Sequence, residues 1–127
     1  MSAGSFDDHS PIYLQIARRL RDDIVSGRLS DDEQVMSTNQ YAAHHRINPA
    51  TVARAFQELV EEGLLYKRRG VGMFVTPGAG DRERTRRRGR FLDDVFTPVL
   101  DQAERLSIPL DDLVASIRSR ITPKGQP

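Results

Sequence analysis

Apolar residues near the start of the chain recur at helical spacing and predict a first helix that ends at Gly27. Ser10 and Pro11 are typical of an N-cap and a first helical residue, so residues 1–9 are expected to be a flexible lead-in. One side of this helix carries Tyr13, Ile16, Ala17, Leu20 and Ile24, and the other side carries Gln15, Arg18, Arg19, Asp22 and Asp23. We expect the first set to be buried and the second set to face solvent.

A polar loop over residues 28–36 leads to a second, shorter helix predicted over residues 38–45. Ser37 and Gln40 have the spacing of a capping box, in which each side chain satisfies a free backbone amide at the helix start. Tyr41 and Ala42 are expected to face inward. Residues 46–48 are predicted to form a tight turn into the next helix.

The third predicted helix is apolar on one side only. Asn48 is a suitable N-cap and Pro49 a suitable first residue, because the amide that proline lacks would be unpaired there in any case. The apolar face consists of Val52, Ala55, Phe56 and Leu59, and the opposite face consists of Ala50, Arg54, Gln57 and Glu61. The helix is expected to end at Gly63.

Two short runs after the third helix, residues 64–67 and 73–76, predict a β-hairpin. The connecting residues 68–72 include Gly70 and Gly72, which permit the positive φ angles that hairpin turns use. Pro77, Gly78 and Gly80 then break the pattern, so we place a domain boundary near residue 78.

The remaining residues predict a helical tail. Six arginines within residues 82–90 precede it, and they are interpreted either as a solvated helix start or as a flank that contacts phosphates. Pro98 must kink or restart the helix, with Thr97 as a candidate cap. The apolar positions are Leu92, Val95, Phe96, Val99, Ala103 and Leu106, followed in a last helix by Leu110, Leu113, Val114 and Ile117. Since two helices cannot hide so much apolar surface, residues 91–121 are predicted to form a dimer interface.

Composition excludes several classes of protein. The chain has 127 residues, of which 38% are hydrophobic and 29% charged, and its formal net charge is +1, so any contact with nucleic acid must come from local clusters. All but two of its 19 basic residues are arginine, a residue well suited to phosphates and guanine edges, although genomic base composition can produce the same excess. The absence of cysteine excludes disulfides and thiolate sites. No signal sequence or membrane span is apparent, so we expect a cytoplasmic protein with no membrane partner.

No catalytic, metal or cofactor site is predicted. His44 and His45 are adjacent in a helix, so their side chains diverge, and no third ligand lies nearby in sequence. The Gly70-Val71-Gly72 stretch lacks the strand-to-helix context of a nucleotide site. The chain has no evident pairing of a nucleophile with a base, and we expect that it is not an enzyme.

Three helices followed by a two-stranded ribbon predict a mainly α fold with a small β-hairpin, the winged helix-turn-helix. In this fold the third helix enters the major groove, where each base pair presents a distinct pattern of donors and acceptors. Arg54 and Gln57 would then face base edges, and residues 48–51 would face phosphates at the positive end of the helix dipole. The cations of the ribbon would reach phosphates or the minor groove. The alternative for each of these residues is an ordinary solvated side chain.

Several motifs within residues 10–77 resemble the DNA-binding domain of the GntR family of bacterial transcription regulators. They are P-x-Y-x-Q-I at 11–16, I-x-x-G-x-L at 24–29, the serine of L-P-S-x-R at Ser37, Thr51-Val52, E-E-G-L at 61–64 and the wing R-x-G-x-G-x-F-V at 68–75. The N-P-x-T-V stretch at 48–52, the A-F-Q-E-L stretch after it and the short tail are most similar to the YtrA subfamily. In that subfamily such a tail is a two-helix dimerisation module.

Five positions depart from the family pattern. Asp31 and Asp32 replace the usual Pro-Gly, Met36 replaces a proline, and His45 replaces a leucine of the second helix. Asn39 stands at the position of the motif's arginine, which the resemblance implies is a DNA contact. We expect the fold to be retained, whereas one phosphate contact and the operator sequence are open to change.

The resemblance implies a homodimeric, sequence-specific transcription repressor that recognises an inverted-repeat operator. Its organisation would be a flexible segment 1–9, a winged helix-turn-helix 10–78 and a helical dimerisation tail 79–127. The predicted DNA-binding residues are Ser37, Asn48, Pro49, Ala50, Thr51, Arg54, Gln57, Lys67, Arg68, Arg69, Gly70 and Gly72. The predicted dimer contacts are Leu92, Val95, Phe96, Val99, Ala103, Leu106, Leu113 and Ile117. An unidentified small-molecule effector is a further candidate partner, and the alternative function is a protein-interaction module without specific DNA binding.

Overall fold

The computed structural model describes residues 6–121, and these form a mainly helical chain with one antiparallel hairpin, as predicted. In chain order the elements are α1 Ile12–Ser26, α2 Thr38–His45, α3 Pro49–Glu61, β1 Leu65–Arg68, β2 Gly72–Val75, α4 Ala79–Arg90, a π-helical segment Phe91–Phe96, α5 Thr97–Arg105 and α6 Leu110–Ile121. The chain divides into two compact units, one ending at Thr85 and one starting at Arg86. No helix in the described part combines the length and apolarity needed to cross a membrane.

The core of the first unit lies where α1, α2 and α3 pack together. All four apolar residues predicted to line α3 are buried, as are the inward-facing Tyr41 and Ala42 of α2. From α1 the buried apolar residues are Ile16, Ala17, Leu20 and Ile24, whereas Tyr13 is only partly buried against this cluster. Arg21 of α1 donates two hydrogen bonds to Glu62, at 3.0 and 2.5 Å, and so ties α1 to the end of α3.

Two polar residues of α1 that were predicted to face solvent are buried, so that prediction is wrong for both. The side-chain amide of Gln15 donates to the carbonyls of Asp7 and Ser10, and its oxygen accepts the Asp7 amide at 2.9 Å. Asp23 is fully buried, with Arg28 Nη1 at 3.5 Å from its carboxylate. Asp23 lies at the edge of the apolar face, whereas Gln15 is covered by the chain segment before α1, and local partners offset the cost of burial for both.

The start of α1 also differs from the prediction. Pro11, not Ser10, is the N-cap, because Pro11 has an extended ψ of 140° and its carbonyl accepts the amides of Leu14 and Gln15. Of the predicted flexible lead-in, residues 1–5 lie outside the described residues. Phe6 packs against the core, and Arg19 lies over its ring at 3.8 Å.

The hairpin pairs Leu65 with Val75 and Arg68 with Gly72. Strand β1 therefore begins and ends one residue later than predicted, and β2 begins and ends one residue earlier. A third backbone segment joins it, because Gln34 from the loop before α2 forms a β-bridge with Phe74. This bridge, which the sequence did not predict, fixes the hairpin to the helical core.

Asp32 shows how the loop before α2 keeps its shape without the Pro-Gly pair that is usual at residues 31 and 32. Its φ is 62°, a left-handed conformation in which glycine is the favoured residue. The Tyr66 hydroxyl donates to the Asp32 carboxylate at 2.6 Å, and the Asp32 amide donates to the Val75 carbonyl at 2.8 Å. The hydrogen bond from Tyr66 also raises the pKa of that hydroxyl above its ordinary value. These contacts to the hairpin compensate for the strained backbone at residue 32.

Helix α4 begins directly after the hairpin and runs through Gly80, where a chain break was predicted, so that prediction is wrong. A Cβ at residue 80 would lie 2.9 Å from the Ile24 carbonyl oxygen, and glycine therefore permits close packing against the end of α1. Arg82 donates to the Gly63 carbonyl at 2.7 Å and Arg84 to the Val25 carbonyl at 2.5 Å. Within the first unit, the start of α4 is therefore anchored to the ends of both α1 and α3.

In the second unit, a π-helical segment precedes Pro98. The wider π turns keep the chain helical where proline lacks an amide. Thr97 is itself helical and is not an N-cap as predicted, because its amide and hydroxyl both donate to the Leu92 carbonyl, the hydroxyl at 2.9 Å.

The apolar stripe of the tail is largely exposed in the single chain. Of its eight predicted positions, Ala103 is buried and Phe96 and Leu113 are half-buried. The other five, Leu92, Val95, Val99, Leu106 and Ile117, have exposed fractions of 45% to 62%.

Replacing Asp32 by alanine and by glycine isolates the backbone strain at this position. Both variants lose the carboxylate, but only glycine adopts the left-handed conformation without a Cβ penalty. We expect Asp32→Gly to have a higher free energy of unfolding than Asp32→Ala, by about 1 kcal/mol. Urea denaturation followed by circular dichroism measures the difference. Equal stability of the two Asp32 variants would contradict the positive φ at residue 32. Tyr66→Phe is the control, because it removes the hydrogen bond to the Asp32 carboxylate and leaves residue 32 unchanged.

Candidate nucleic-acid interface

Arg54 lies on the exposed side of α3, away from the buried stripe. Its guanidinium carbon is 3.8 Å from the ring centroid of Tyr13, and its Nη2 donates to the Tyr13 hydroxyl at 3.2 Å. The side chain therefore leans towards α1 but remains exposed. One N–H is used in this bond, and a guanidinium has five, so donors remain for a ligand.

Gln57 and Glu61 continue the exposed face of α3 by one further turn. The Gln57 amide donates weakly to Glu61 Oε1 at 3.5 Å. Beside Gln57, a cleft of about 200 Å³ opens between α3 and the hairpin, lined by Thr38, Ala53, Phe56, Gln57, Lys67 and Met73. The structure thus brings Gln57 and Lys67, ten positions apart in sequence, to the same depression.

The N-terminal tip of α3 is capped from within the chain. Asn48 Oδ1 accepts the Ala50 amide at 2.8 Å, and the Asn48 carbonyl accepts the Thr51 amide at 3.0 Å. Pro49 has no amide. These bonds engage the backbone amides of Ala50 and Thr51, two of the residues predicted to face phosphates. The side chains of Asn48 and Thr51 are therefore the polar groups best placed for contact there.

The start of α2 has the predicted capping box. Ser37 Oγ accepts the Gln40 amide at 3.1 Å, and Gln40 Oε1 accepts the Ser37 amide at 2.9 Å. Because Oγ acts as an acceptor in the cap, its own hydrogen is still able to donate to an anion. The turn to α3 places Arg46 in a left-handed conformation with φ of 56°.

The hairpin presents its three predicted cations, Lys67, Arg68 and Arg69, as exposed residues. Arg68 lies 5.1 Å from the ring centroid of Phe74 on the paired strand, which orients its guanidinium. Gly70 has a φ of 76° in the turn, as predicted for a hairpin glycine. Gly72 has a φ of 149°, which L side chains rarely adopt, and a Cβ there would displace the side-chain nitrogen of Gln34, 2.6 Å away.

The arginines of residues 82–90 do not share one role. Arg82 and Arg84 donate to backbone carbonyls of the first unit, which ends at Thr85 and is the winged-helix unit. Arg84 also pairs with Asp81. These two arginines are structural. Arg88 and Arg90 are exposed in the last turn of α4, where basic side chains are favoured by the helix dipole.

His44 and His45 belong to a ring cluster. The His45 ring lies 4.3 Å from Tyr41 and 5.6 Å from Phe6. Burial lowers the pKa of His45 below its ordinary value, and the charges of His44 and Arg19 lower it further. Within residues 6–121, no group of three or more His, Asp or Glu side chains is arranged to hold a metal ion.

The partner that sequence reasoning missed is Tyr13. Helical spacing identifies Tyr13 as a core residue of α1, whereas the structure leaves it half-buried beneath Arg54. The two residues are 41 positions apart, so periodicity within one helix gives no signal of their contact.

The part of the chain that forms the three helices and the hairpin also matches a known protein family. The model of the gntR family of bacterial regulatory proteins matches residues 12–75. The chain belongs to this family. The resemblance seen in the sequence motifs is thereby confirmed, and the matched GntR segment includes every residue discussed above as a candidate DNA contact apart from those of α4.

Two GntR relatives with curated names match the chain over about half of its length. The HTH-type transcriptional repressor NagR of Bacillus subtilis is 42% identical over 66 residues, which cover 52% of this chain and 27% of NagR. The HTH-type transcriptional repressor YtrA of the same species is 30% identical over 70 residues, which cover 55% of this chain and 54% of YtrA. The chain thus spans about a quarter of NagR and about half of YtrA.

Solved GntR structures extend the likeness beyond the matched segment. A transcriptional regulator of the GntR family from Bacteroides thetaiotaomicron is 31% identical with a TM-score of 0.71, over 87% of this chain and 96% of that one. The DNA-binding domain of AraR, solved in complex with operator ORX1, is 26% identical with a TM-score of 0.52, over 60% of this chain and 93% of that one.

Replacing Ser37 by alanine tests whether the capping box supports α2. We expect the free energy of unfolding to fall by about 1 kcal/mol, because one amide at the helix start loses its acceptor. The control is Ser26→Ala, whose hydroxyl donates to the Asp23 carbonyl within α1, and it is expected to change stability by less than about 0.5 kcal/mol. Chemical denaturation of both variants measures the difference. An unchanged midpoint for Ser37→Ala would show that the cap is dispensable.

Proposed function

We propose that this protein is a sequence-specific DNA-binding transcription regulator that acts as a homodimeric repressor on an inverted-repeat operator. The observation that carries the proposal is the exposed face of α3, on which Arg54 and Gln57 lie opposite a fully buried apolar stripe. A helix buried on one side only is suited to insertion into the major groove, where side chains read base edges.

The hairpin supplies the second contact surface in this proposal. Lys67, Arg68 and Arg69 are exposed, and Lys67 shares a cleft with Gln57 of α3. A helix in the major groove and a cationic ribbon beside it would contact bases and backbone at once. The ribbon's charges would add affinity without sequence information, because phosphates are the same at every base pair.

A solved complex supports DNA binding by a domain of this fold. The AraR DNA-binding domain, which was solved with operator DNA, shares its fold with this chain. For this chain we propose that α3 and the hairpin form the DNA-facing surface, because both carry exposed polar or cationic side chains. Asn39 offers an amide in place of the arginine of the family motif, so we propose that this chain makes a weaker contact at that point.

The exposed apolar stripe of the tail supports dimerisation. Val95, Val99 and Ile117 are each at least 45% exposed, and an apolar surface of this kind is normally covered by a partner. A second copy of the chain is the occupant proposed. Two-fold pairing would give an operator with two inverted half-sites, because each copy presents one α3.

Repression is proposed from the names of the relatives, and a cytoplasmic location from the proposed role in binding DNA. NagR and YtrA are both named as transcriptional repressors. The names of these relatives are those of regulators and not of enzymes, and we propose no catalytic role. An unidentified small-molecule effector remains part of the proposal, with the dimer interface as its place of action.

Replacing single arginines separates base recognition from phosphate contact. We expect Arg54→Ala to weaken binding to a selected operator by about 1 to 3 kcal/mol and to relax the preference for one base pair. Arg69→Ala should weaken binding evenly across sequences and reduce the slope of log affinity against log salt by about one. Fluorescence anisotropy with operator and scrambled duplexes measures both effects.

The control for these variants is Arg105→Ala, since Arg105 lies at the end of α5 outside the winged-helix unit. It should leave affinity and salt dependence unchanged. If the wild-type chain binds operator and scrambled duplexes equally at physiological salt, specific regulation is refuted and the role of a protein-interaction module is favoured.

An acidic substitution in the tail tests the dimer. Ile117→Asp would bury an unpaired carboxylate at the proposed interface, so dimer affinity should fall by at least about a hundredfold. Light scattering should then report the monomer mass of 14.3 kDa where the wild type gives twice that value. Ser119→Asp, at an exposed position of the same helix, is the control and should remain dimeric. A wild-type chain that is monomeric at micromolar concentration would contradict the proposal.

A further inference from the structure

We infer that Tyr13 is a positioning residue for base recognition, holding the guanidinium of Arg54 in place before DNA binds. The inference rests on the proposed function, because it assumes that Arg54 contacts a base. It concerns a residue outside α3 that helical periodicity assigns to the core.

The geometry of the pair provides the first argument. Arg54 Cζ lies 3.8 Å from the centre of the Tyr13 ring, within the range of a cation–π contact. At the same time, Arg54 Nη2 donates to the Tyr13 hydroxyl at 3.2 Å. A stacking contact and a hydrogen bond to the same side chain restrict both the position and the tilt of the guanidinium plane.

The rigidity of the support provides the second argument. Tyr13 belongs to the first turn of α1, and its neighbours Ile16 and Ala17 are fully buried against the core that also contains Val52 and Ala55 of α3. The ring is therefore fixed relative to α3 itself. An arginine held on such a platform loses less rotamer freedom on binding than one that is free in solvent.

The neutrality of the support provides the third argument. The hydrogen bond and the cation–π contact of Arg54 are both made with Tyr13, a neutral side chain. The acidic neighbours on α3 have other contacts, Glu58 with Arg21 and Glu61 with Gln57. A neutral platform orients the guanidinium and leaves its charge available to attract DNA. A carboxylate in the same place would orient the side chain but compete with the DNA for it.

A double-mutant cycle tests the inference on the full chain. The probe is a duplex selected by the wild-type chain from a randomised library, together with its single-base variants. We expect Tyr13→Leu to weaken binding by roughly three- to tenfold, as expected for loss of a cation–π contact. Tyr13→Phe keeps the ring and should have a smaller effect. In an Arg54→Ala background, Tyr13→Leu should change binding by less than about twofold, because the side chain it positions is absent.

Base preference is the readout that a purely structural role would not move. Tyr13→Leu should relax discrimination at the same base pair as Arg54→Ala and leave the other positions unchanged. Thermal melting of each variant establishes that it is folded. An equal loss in both backgrounds would overturn the inference, and so would tighter binding by Tyr13→Leu, which would mean that the ring holds Arg54 away from DNA.

The selection step distinguishes this inference from the proposed function. If the wild-type chain enriches no sequence, the proposed function fails and the inference fails with it. If it enriches a sequence that Arg54→Ala binds equally well, only the inference and the base contact of Arg54 are overturned.

Discussion

The structure depends on the one-sided burial of α3. One face of this helix is fully buried against the core that it shares with α1 and α2, through Val52, Ala55, Phe56 and Leu59. The helix is therefore held in place while its other face stays exposed to solvent. Hydrophobic burial is not directional, so the distribution of apolar residues around α3 decides which side faces the core and which faces out. The DNA binding proposed for this GntR protein follows from that exposed side, since a helix covered on both faces would have no surface to place in a groove.

The charged residues serve two purposes, which explains how a chain with a net charge of only +1 can present a cationic surface. Arg21, Arg82 and Arg84 are engaged by a carboxylate or by backbone carbonyls of the winged-helix unit. Lys67 and Arg69 instead extend from the hairpin as exposed residues. Local placement, not total charge, therefore determines where an anion is attracted.

Features set by nearby residues were predicted well from the sequence. The capping box at Ser37 and the buried stripe of α3 are both local, and both are present as predicted. Several of the errors involve contacts made outside the helix to which the residue belongs. Gln15 is buried because the chain before α1 folds back to receive its hydrogen bonds, and Gly80 is helical because it packs against the end of α1. The contact of Arg54 with a residue 41 positions away was missed for the same reason, since no repeat within one helix encodes it.

The account is tested most directly by a crystal structure of the chain bound to the duplex that it selects from random sequence. We expect α3 to lie in the major groove, with the Arg54 guanidinium within hydrogen-bonding distance of a base edge and the hairpin beside the adjoining backbone. A complex in which α3 lies outside the groove, or in which Arg54 contacts no nucleotide, would contradict it.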